Sequence, residues 1–304
     1  MTGAQDELPW VTLVTPAYNQ GEYLAETIDS VLAQDYPRLE YIVLDDGSAD
    51  STPQVLSRYG TRVRHARHQN MGQARTLNRG WSMGRGALLG YLSSDDRLAP
   101  QAIGRLVEAL RQHPQAVVAY GDFDIIDTAG AHIRTARTED FDAHRLAVDI
   151  VCQPGAGALF RREVLDRAGG WAETLRQVPD YEFWLRASRL GPFVRMPEVL
   201  AAYRVHEGSA SFRATTAERS DEIVDVMQRH WAGRSGAEVE RSLATAHLIA
   251  AKSHAQSGRL AEALRHWRRS AARGPAVAFA PGSARALLAG LLRRFAYRTR
   301  EKFR

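Results

Sequence analysis

Two pairs of adjacent carboxylates, Asp45/Asp46 and Asp95/Asp96, each follow a short apolar run, and a lone Asp180 follows Pro179. Carboxylates so placed can cap a helix, close a turn, or hold a divalent cation. Asp45, Asp50 and Ser51 remain open to the capping and turn readings. Asp46 and Asp96 are harder to reduce to turns, because each ends an apolar run and the two would face one crevice. An acidic crevice repels an anionic ligand unless a cation stands between them. Hard carboxylate oxygens suit Mg²⁺ or Mn²⁺, which bind phosphates while keeping several waters. Other phosphate cradles are missing: there is no G-x-x-x-x-G-K-[ST] loop, no G-x-G-x-x-G after the first strand, and Gly84-Arg85-Gly86 is only a turn.

These residues need elements to position them. Val11–Thr15 reads as a strand ending at Pro16, followed by turn chemistry at Tyr18-Asn19-Gln20-Gly21. Leu24, Ile28, Val31 and Leu32 repeat at helical spacing, and Pro37 must end that helix. Tyr41–Leu44 is the continuous apolar run of a strand buried on both faces. Further helices are expected over Ser51–Arg58 and Gly72–Met83, with Pro100 as the first residue of another. Strands are expected near Val63–Ala66, Ala87–Leu92 and Val117–Tyr120. This alternation predicts a mostly parallel sheet with helices on both faces, and such sheets bind ligands beyond the carboxyl ends of their strands. Both acidic pairs fall at that edge.

Composition narrows the classes further. At 304 residues with 44% hydrophobic and 25% charged, the chain is an ordinary globular one of one or two domains. The single Cys152 makes no internal disulfide and no cysteine metal cage, which suits a reducing compartment. No secretory leader and no apolar run long enough for a transmembrane helix is visible. The net charge of +5 is unevenly spread: from Arg259 to Arg304, 12 Lys+Arg stand against two acids, so the body before them is acidic. From about Ala214 the β pattern stops. Leu243–Ser257 and Leu260–Arg273 read as two helices joined at Gly258, at the spacing of a single tetratricopeptide-like hairpin, and Pro275–Gly282 reads as a linker.

In order along the chain, Thr15-Pro16-Ala17-Tyr18-Asn19, Asp45-Asp46-Gly47-Ser48-Ala49-Asp50, Ser94-Asp95-Asp96 and Asp180-Tyr181-Glu182-Phe183-Trp184-Leu185-Arg186 resemble the motifs of family 2 glycosyltransferases. The resemblance spans roughly residues 9–213. It implies an α/β fold of the GT-A type, a Rossmann-like, mostly parallel sheet flanked by helices, over residues 1–213, with an α-helical extension over 214–304. It implies a nucleotide-sugar donor, UDP-sugar favoured, and a glycan or lipid-linked acceptor. By the same resemblance Tyr18 stacks on the base with Pro16 and Ala17 beside it. Asp46 accepts an N–H from the base, Asp95 meets the ribose, and Asp96 holds Mn²⁺ or Mg²⁺ against the diphosphate. Gln73, Arg75 and Asn78 lie in the stretch that closes over the nucleotide, although Arg75 also reads as a solvated helix face.

Asp180 is the implied base, deprotonating an acceptor hydroxyl for attack with inversion at the anomeric carbon. It also reads as a helix N-cap, and the two roles are compatible. Trp184 and Leu185 read as core. His206, in Tyr203-Arg204-Val205-His206-Glu207-Gly208-Ser209-Ala210-Ser211, resembles the family's late motif, where a His completes the metal or meets the diphosphate; it reads equally as an ordinary surface residue. Arg204 is open to a phosphate contact or a carboxylate partner. Cys152-Gln153-Pro154-Gly155-Ala156-Gly157, with Trp171, is placed like the acceptor-side wall. Two positions depart from the pattern: Ser94 stands first in the metal motif, and Pro179 replaces the acid that often precedes the base. The competing reading is a non-catalytic nucleotide-sugar-binding domain, with these substitutions marking lost activity.

The last segment, Ala286–Arg304, aligns Leu288, Leu291, Leu292 and Phe295 beside Arg293, Arg294, Arg298, Arg300, Lys302 and Arg304. Such a helix lies on anionic lipid or docks its apolar face on protein. A cytoplasmic location with peripheral contact at the inner face of a membrane is therefore expected. Nucleic acid is not expected as a partner, because the body lacks an interleaved basic and aromatic surface pattern.

Overall fold

The computed structural model describes residues 8–209 and 214–282; the expected basic helix over 286–304 and residues Ala210 and Ser211 of the late motif lie outside the described residues. The chain forms two compact units, Met1–Phe141 with Cys152–Ser209, and Asp142–Val151 with Ala210–Arg304. Residues 142–151 thus group with the C-terminal helices.

In the first unit β1 (Val11–Ala17), β2 (Leu39–Asp45), β3 (Arg64–Arg67) and β4 (Leu88–Tyr91) alternate with α1 (Leu24–Leu32), α2 (Thr52–Tyr59) and α3 (Gln73–Met83). Then follow β5 (Arg97–Leu98), α4 (Ala102–Gln112), β6 (Val118–Ile126), β7 (His132–Ala136), β8 (Leu159–Arg161), α5 (Arg162–Ala168), α6 (Pro179–Ala187) and β9 (Phe193–Arg204). The sheet runs β3-β2-β1-β4-β8-β6-β9-β5, with β7 paired to β6. The expected parallel arrangement occupies β3-β2-β1-β4, where β1 pairs parallel with both β2 and β4. The other half is mixed: β8 runs antiparallel to β4 and β6, while β6 and β9 pair in parallel.

Pro16 does not end β1, which continues to Ala17. Its missing N–H falls on the β4 side, where pairing stops at Val14↔Tyr91, so no ladder bond is lost. Pro100 does not begin α4. Ala99 N–H donates to Leu200 O at 2.9 Å, which holds 97–99 against β9 and delays the helix to Ala102. The core beneath the sheet is apolar: Leu13, Val43, Leu24 and Ile28 are wholly buried. At roughly 25 cal/mol per Å² of apolar area removed from water, such burial is the main drive for docking the helices.

The second unit comprises α7 (Ala217–His230), α8 (Ala237–Gln256), α9 (Leu260–Arg273) and α10 (Pro275–Ala278), with a π-helical turn at Arg145–Asp149. Gly258 (φ 80°) joins α8 to α9. The expected linker is instead begun by α10: Pro275 pre-sets the first helical φ and Ala278 is buried. A closed polar chain lies inside this unit. Arg259 Nε donates to His254 Nδ1 at 2.9 Å, and His254 Nε2 stands 2.8 Å from Asp221 Oδ1. His266 Nε2 lies 3.1 Å from the same oxygen, and its Nδ1 is 3.1 Å from Nδ1 of His247. Asp221, His254 and His266 could converge on a metal, the only such trio among the described residues. The guanidinium donor occupies the His254 lone pair, however, so its Nε2 carries the proton given to Asp221 and is closed to a cation.

Burial lowers His247 from 6.5 to about 4, and burial lowers His266 as well. A depressed histidine pKa means that the unfolded chain binds more protons, so stability declines as pH falls from about 6.5 towards 4. Calorimetric melting of the full chain is expected to give a lower Tm at pH 5 than at pH 7.5, with His247→Gln narrowing the difference.

Candidate active site

The site lies beyond the carboxyl ends of β1, β2 and β4, where the strand order reverses. Its first wall is the Asp45-to-Asp50 loop. Asp45, wholly buried, accepts from Ser48 N–H at 2.8 Å and so closes the turn. Gly47 adopts φ 78°, and a Cβ there would stand 2.8 Å from the Asn70 amide, so only glycine passes. Ser48 Oγ accepts from Asn19 N–H at 3.0 Å, and Asp50 accepts from Gly21 N–H at 2.8 Å and Thr52 N–H at 2.9 Å. This loop thereby fixes the segment carrying Tyr18, which is 50% exposed and free to present a ring face. Pro16 and Ala17 are buried in β1 beside it.

Asp46 is 3% exposed; its Oδ1 accepts from Met71 N–H at 2.7 Å and its Oδ2 from Gly72 N–H at 2.9 Å. Each carboxylate oxygen retains a second lone pair for another donor. His68, which no motif in the sequence marks, lies 3.4 Å from Asp46 through Nδ1. Gln73 and Arg75 are exposed in the first turn of α3, and Arg75 Nε is 3.0 Å from Glu173. Asn78 instead staples α3 to the Trp171 backbone, donating to Trp171 O at 2.9 Å and accepting from Trp171 N–H at 2.8 Å.

Beyond β4, Asp95 and Asp96 separate into different tasks. Asp95 Oδ2 is 2.9 Å from His206 Nε2. Asp96 Oδ1 accepts from Arg204 N–H at 2.9 Å. Burial, and next the Asp95 charge, push the Asp96 carboxyl well above the usual carboxylate range. Arg204 is wholly buried and spent within the protein, donating to Asp95 O, Asp127 O, Thr128 O and Glu26 Oε2. Of its two open readings the carboxylate partner is the one observed. Glu26 on α1 had no local signal in the sequence, because its partner is 178 residues away.

Asp180 sits in the first turn of α6, one residue after Pro179; the cap position is Val178, so Asp180 is not the N-cap. An anionic side chain there is favoured by the helix dipole. Burial raises the carboxyl above 3.8, offset in part by the Tyr181 and Asp180 amides. Burial and then the charges of Asp180, Cys152 and Asp96 raise the hydroxyl of Tyr91, at the end of β4, whose ring packs edge-on to Trp171 at 4.9 Å. Trp184 and Leu185 are core, and Phe183 packs edge-on to Phe160 at 5.1 Å, anchoring α6 to the sheet. Arg186, bound through Nε to Glu182 at 2.7 Å, donates to Ala168 O, Gly169 O and Gly170 O at the end of α5. Arg186→Met leaves those carbonyls and Glu182 without that donor, and urea unfolding is expected to show a loss on the order of 2 kcal/mol.

A sequence model described as glycosyl transferase family 2 matches residues 12–169. The chain belongs to that family. A Rickettsia felis protein named an uncharacterized glycosyltransferase is 28% identical over 67% of this chain and 35% of its own length. This chain thus spans only about a third of that relative. The S. aureus TarS structure in complex with UDP superposes with a TM-score of 0.63 at 14% identity, over 88% of this chain and 90% of that one. The Pyrobaculum calidifontis mannosyltransferase PcManGT in complex with GDP-Man and Mn²⁺ gives 0.59 at 19%, over 97% of this chain and 84% of that one. Family 2 members of this architecture have the GT-A fold, and the sheet order above is this chain's version of it.

Proposed function

We propose that this family 2 chain transfers a sugar, with inversion, from a nucleotide-diphosphate donor to a hydroxyl of a glycan or lipid-linked acceptor. The observation that carries the reading is the separation of two acidic systems. Asp95 meets His206 beyond β4, next to Asp96, while Asp180 belongs to a different element, the first turn of α6. Adjacent carboxylates, one of them driven towards protonation by burial and its neighbour, form a donor set that a divalent cation would neutralise. Carboxylate oxygens and one imidazole nitrogen suit Mn²⁺ or Mg²⁺, the nitrogen favouring Mn²⁺. Asp96 and His206 would hold the ion as two protein ligands rather than as part of a converged trio, and its charge would offset that developing on the leaving diphosphate.

Tyr18 offers a stacking face to the base, and Asp46 a buried carboxylate for an N–H of uracil, the favoured base. Gln73 and Arg75 border the same pocket from α3, and Asp95 faces the ribose. Asp180 takes the proton of the acceptor hydroxyl; the oxygen bonds to the anomeric carbon from the face opposite the diphosphate. The carbon–oxygen bond to the diphosphate breaks, and its electron pair leaves with the nucleotide. Burial raises the Asp180 pKa, which makes its carboxylate a stronger proton acceptor. Calorimetric titration with UDP-, GDP- and dTDP-sugars, with and without Mn²⁺, is expected to show metal-dependent binding of the UDP-sugar. NMR of the product would then show an inverted anomeric centre. Tight donor binding without turnover on any acceptor or water would instead indicate a binding module.

A further inference from the structure

Helix α9 has one face committed to its own unit, through the buried Ala263, His266 and Ser270. A second apolar stripe points outward. Leu260 and Leu264 are 52% and 46% exposed, and Trp267 continues the line at the spacing of one helix face. Phe279, which follows α10 and is 64% exposed, sets its ring against Trp267 at 5.3 Å. The helical period places exposed Arg268 on the outer border of this stripe, exposed Arg265 further round, and Glu262 on the far side. In the sequence, residues 283–304 follow shortly after Phe279 and add seven Lys+Arg against one acid. No helix among the described residues is long and apolar enough to cross a membrane.

We propose that the Leu260–Leu264–Trp267–Phe279 stripe is a docking surface for an anionic lipid bilayer. The apolar side chains enter the boundary between headgroups and acyl chains, Trp267 lies at the level that amphipathic rings prefer, and Arg265 and Arg268 meet headgroup phosphates. Charge selects this occupant. A second copy of the same face would bring two arginine borders together, and a neutral apolar partner would give those arginines nothing to bind. An anionic surface satisfies both parts at once, and the basic residues after 282 extend the same attraction. This inference does not rest on the proposed glycosyl transfer.

The test is co-sedimentation of the full chain with phosphatidylcholine vesicles, with and without phosphatidylglycerol. Binding is expected only to the anionic vesicles, with a blue shift of tryptophan emission that Trp267→Phe removes. The exposed double substitution Leu264→Glu with Phe279→Glu should keep the parent melting temperature and lower the bound fraction at least tenfold, with 283–304 intact. Undiminished binding by that double variant, or no binding by the parent, overturns the proposal. So does a concentration-dependent dimer that the same substitutions abolish, since the stripe is then a contact between copies, and so does vesicle binding that is indifferent to lipid charge.

Discussion

Asp180→Asn is expected to lower sugar transfer by about 10²–10⁴-fold, the range that loss of a positioned general base produces. Donor affinity should change little. The substitution is nearly isosteric, keeps an oxygen for the Tyr181 amide, and lies on α6 rather than on the loops that carry Tyr18 and Asp46. The pH profile offers a second readout. Burial raises the carboxyl above 3.8, so the parent rate should fall on acidification through a pKa above that value, as the base becomes protonated. The variant should lose that limb. Transfer by Asp180→Asn at the parental rate would remove Asp180 from the chemistry, and a collapse of donor affinity with unchanged turnover would make it a binding residue.

Asp96→Asn should have the next largest effect and a different signature. An alanine here would strand the Arg204 amide, whereas asparagine keeps an acceptor for it and deletes only the charge. Metal-dependent nucleotide binding is expected to weaken by at least tenfold, with turnover falling in parallel, while binding without metal changes little. His206→Asn should weaken the metal effect less, since it removes one neutral ligand and not a charge. If Mn²⁺ promotes nucleotide binding equally in Asp96→Asn and the parent, the cation is held elsewhere. Measuring the two substitutions separately and together would show whether they act on one ion, because partners in one site are non-additive.

The parallel half of the sheet was legible because its strands are buried on both faces. Tyr41–Leu44 is an unbroken apolar run, and Leu24, Ile28 and Val31 form a clean helical stripe. The other half was largely hidden. β6 extends through Asp122 and Asp124 to Ile126, and in β9 only Phe193, Leu200, Ala201 and Arg204 are buried across Phe193–Arg204. Their polar positions satisfy one another across the sheet, as when Arg195 binds Asp122 at 3.0 Å, so neither reads as an apolar run. Local signals also misplaced the start of α4 and missed α10, where tertiary hydrogen bonds and a buried Ala278 decided the boundary.

The candidate site divides in the same way. Sequence by itself determined which carboxylates end strands, that two pairs share one sheet edge, and that an isolated Asp180 belongs to a separate helix. Strand periodicity and proline position are short-range properties, so those inferences needed no partner from elsewhere in the chain. Only the tertiary structure decided which carboxylate is free to act. It set Asp45 to close a turn, paired Asp95 with His206 across 111 residues, and consumed the Arg204 side chain in bonds to Glu26 and three backbone carbonyls on distant loops. Burial and charge neighbours set a carboxylate's proton affinity, and both are properties of the folded chain rather than of residue type.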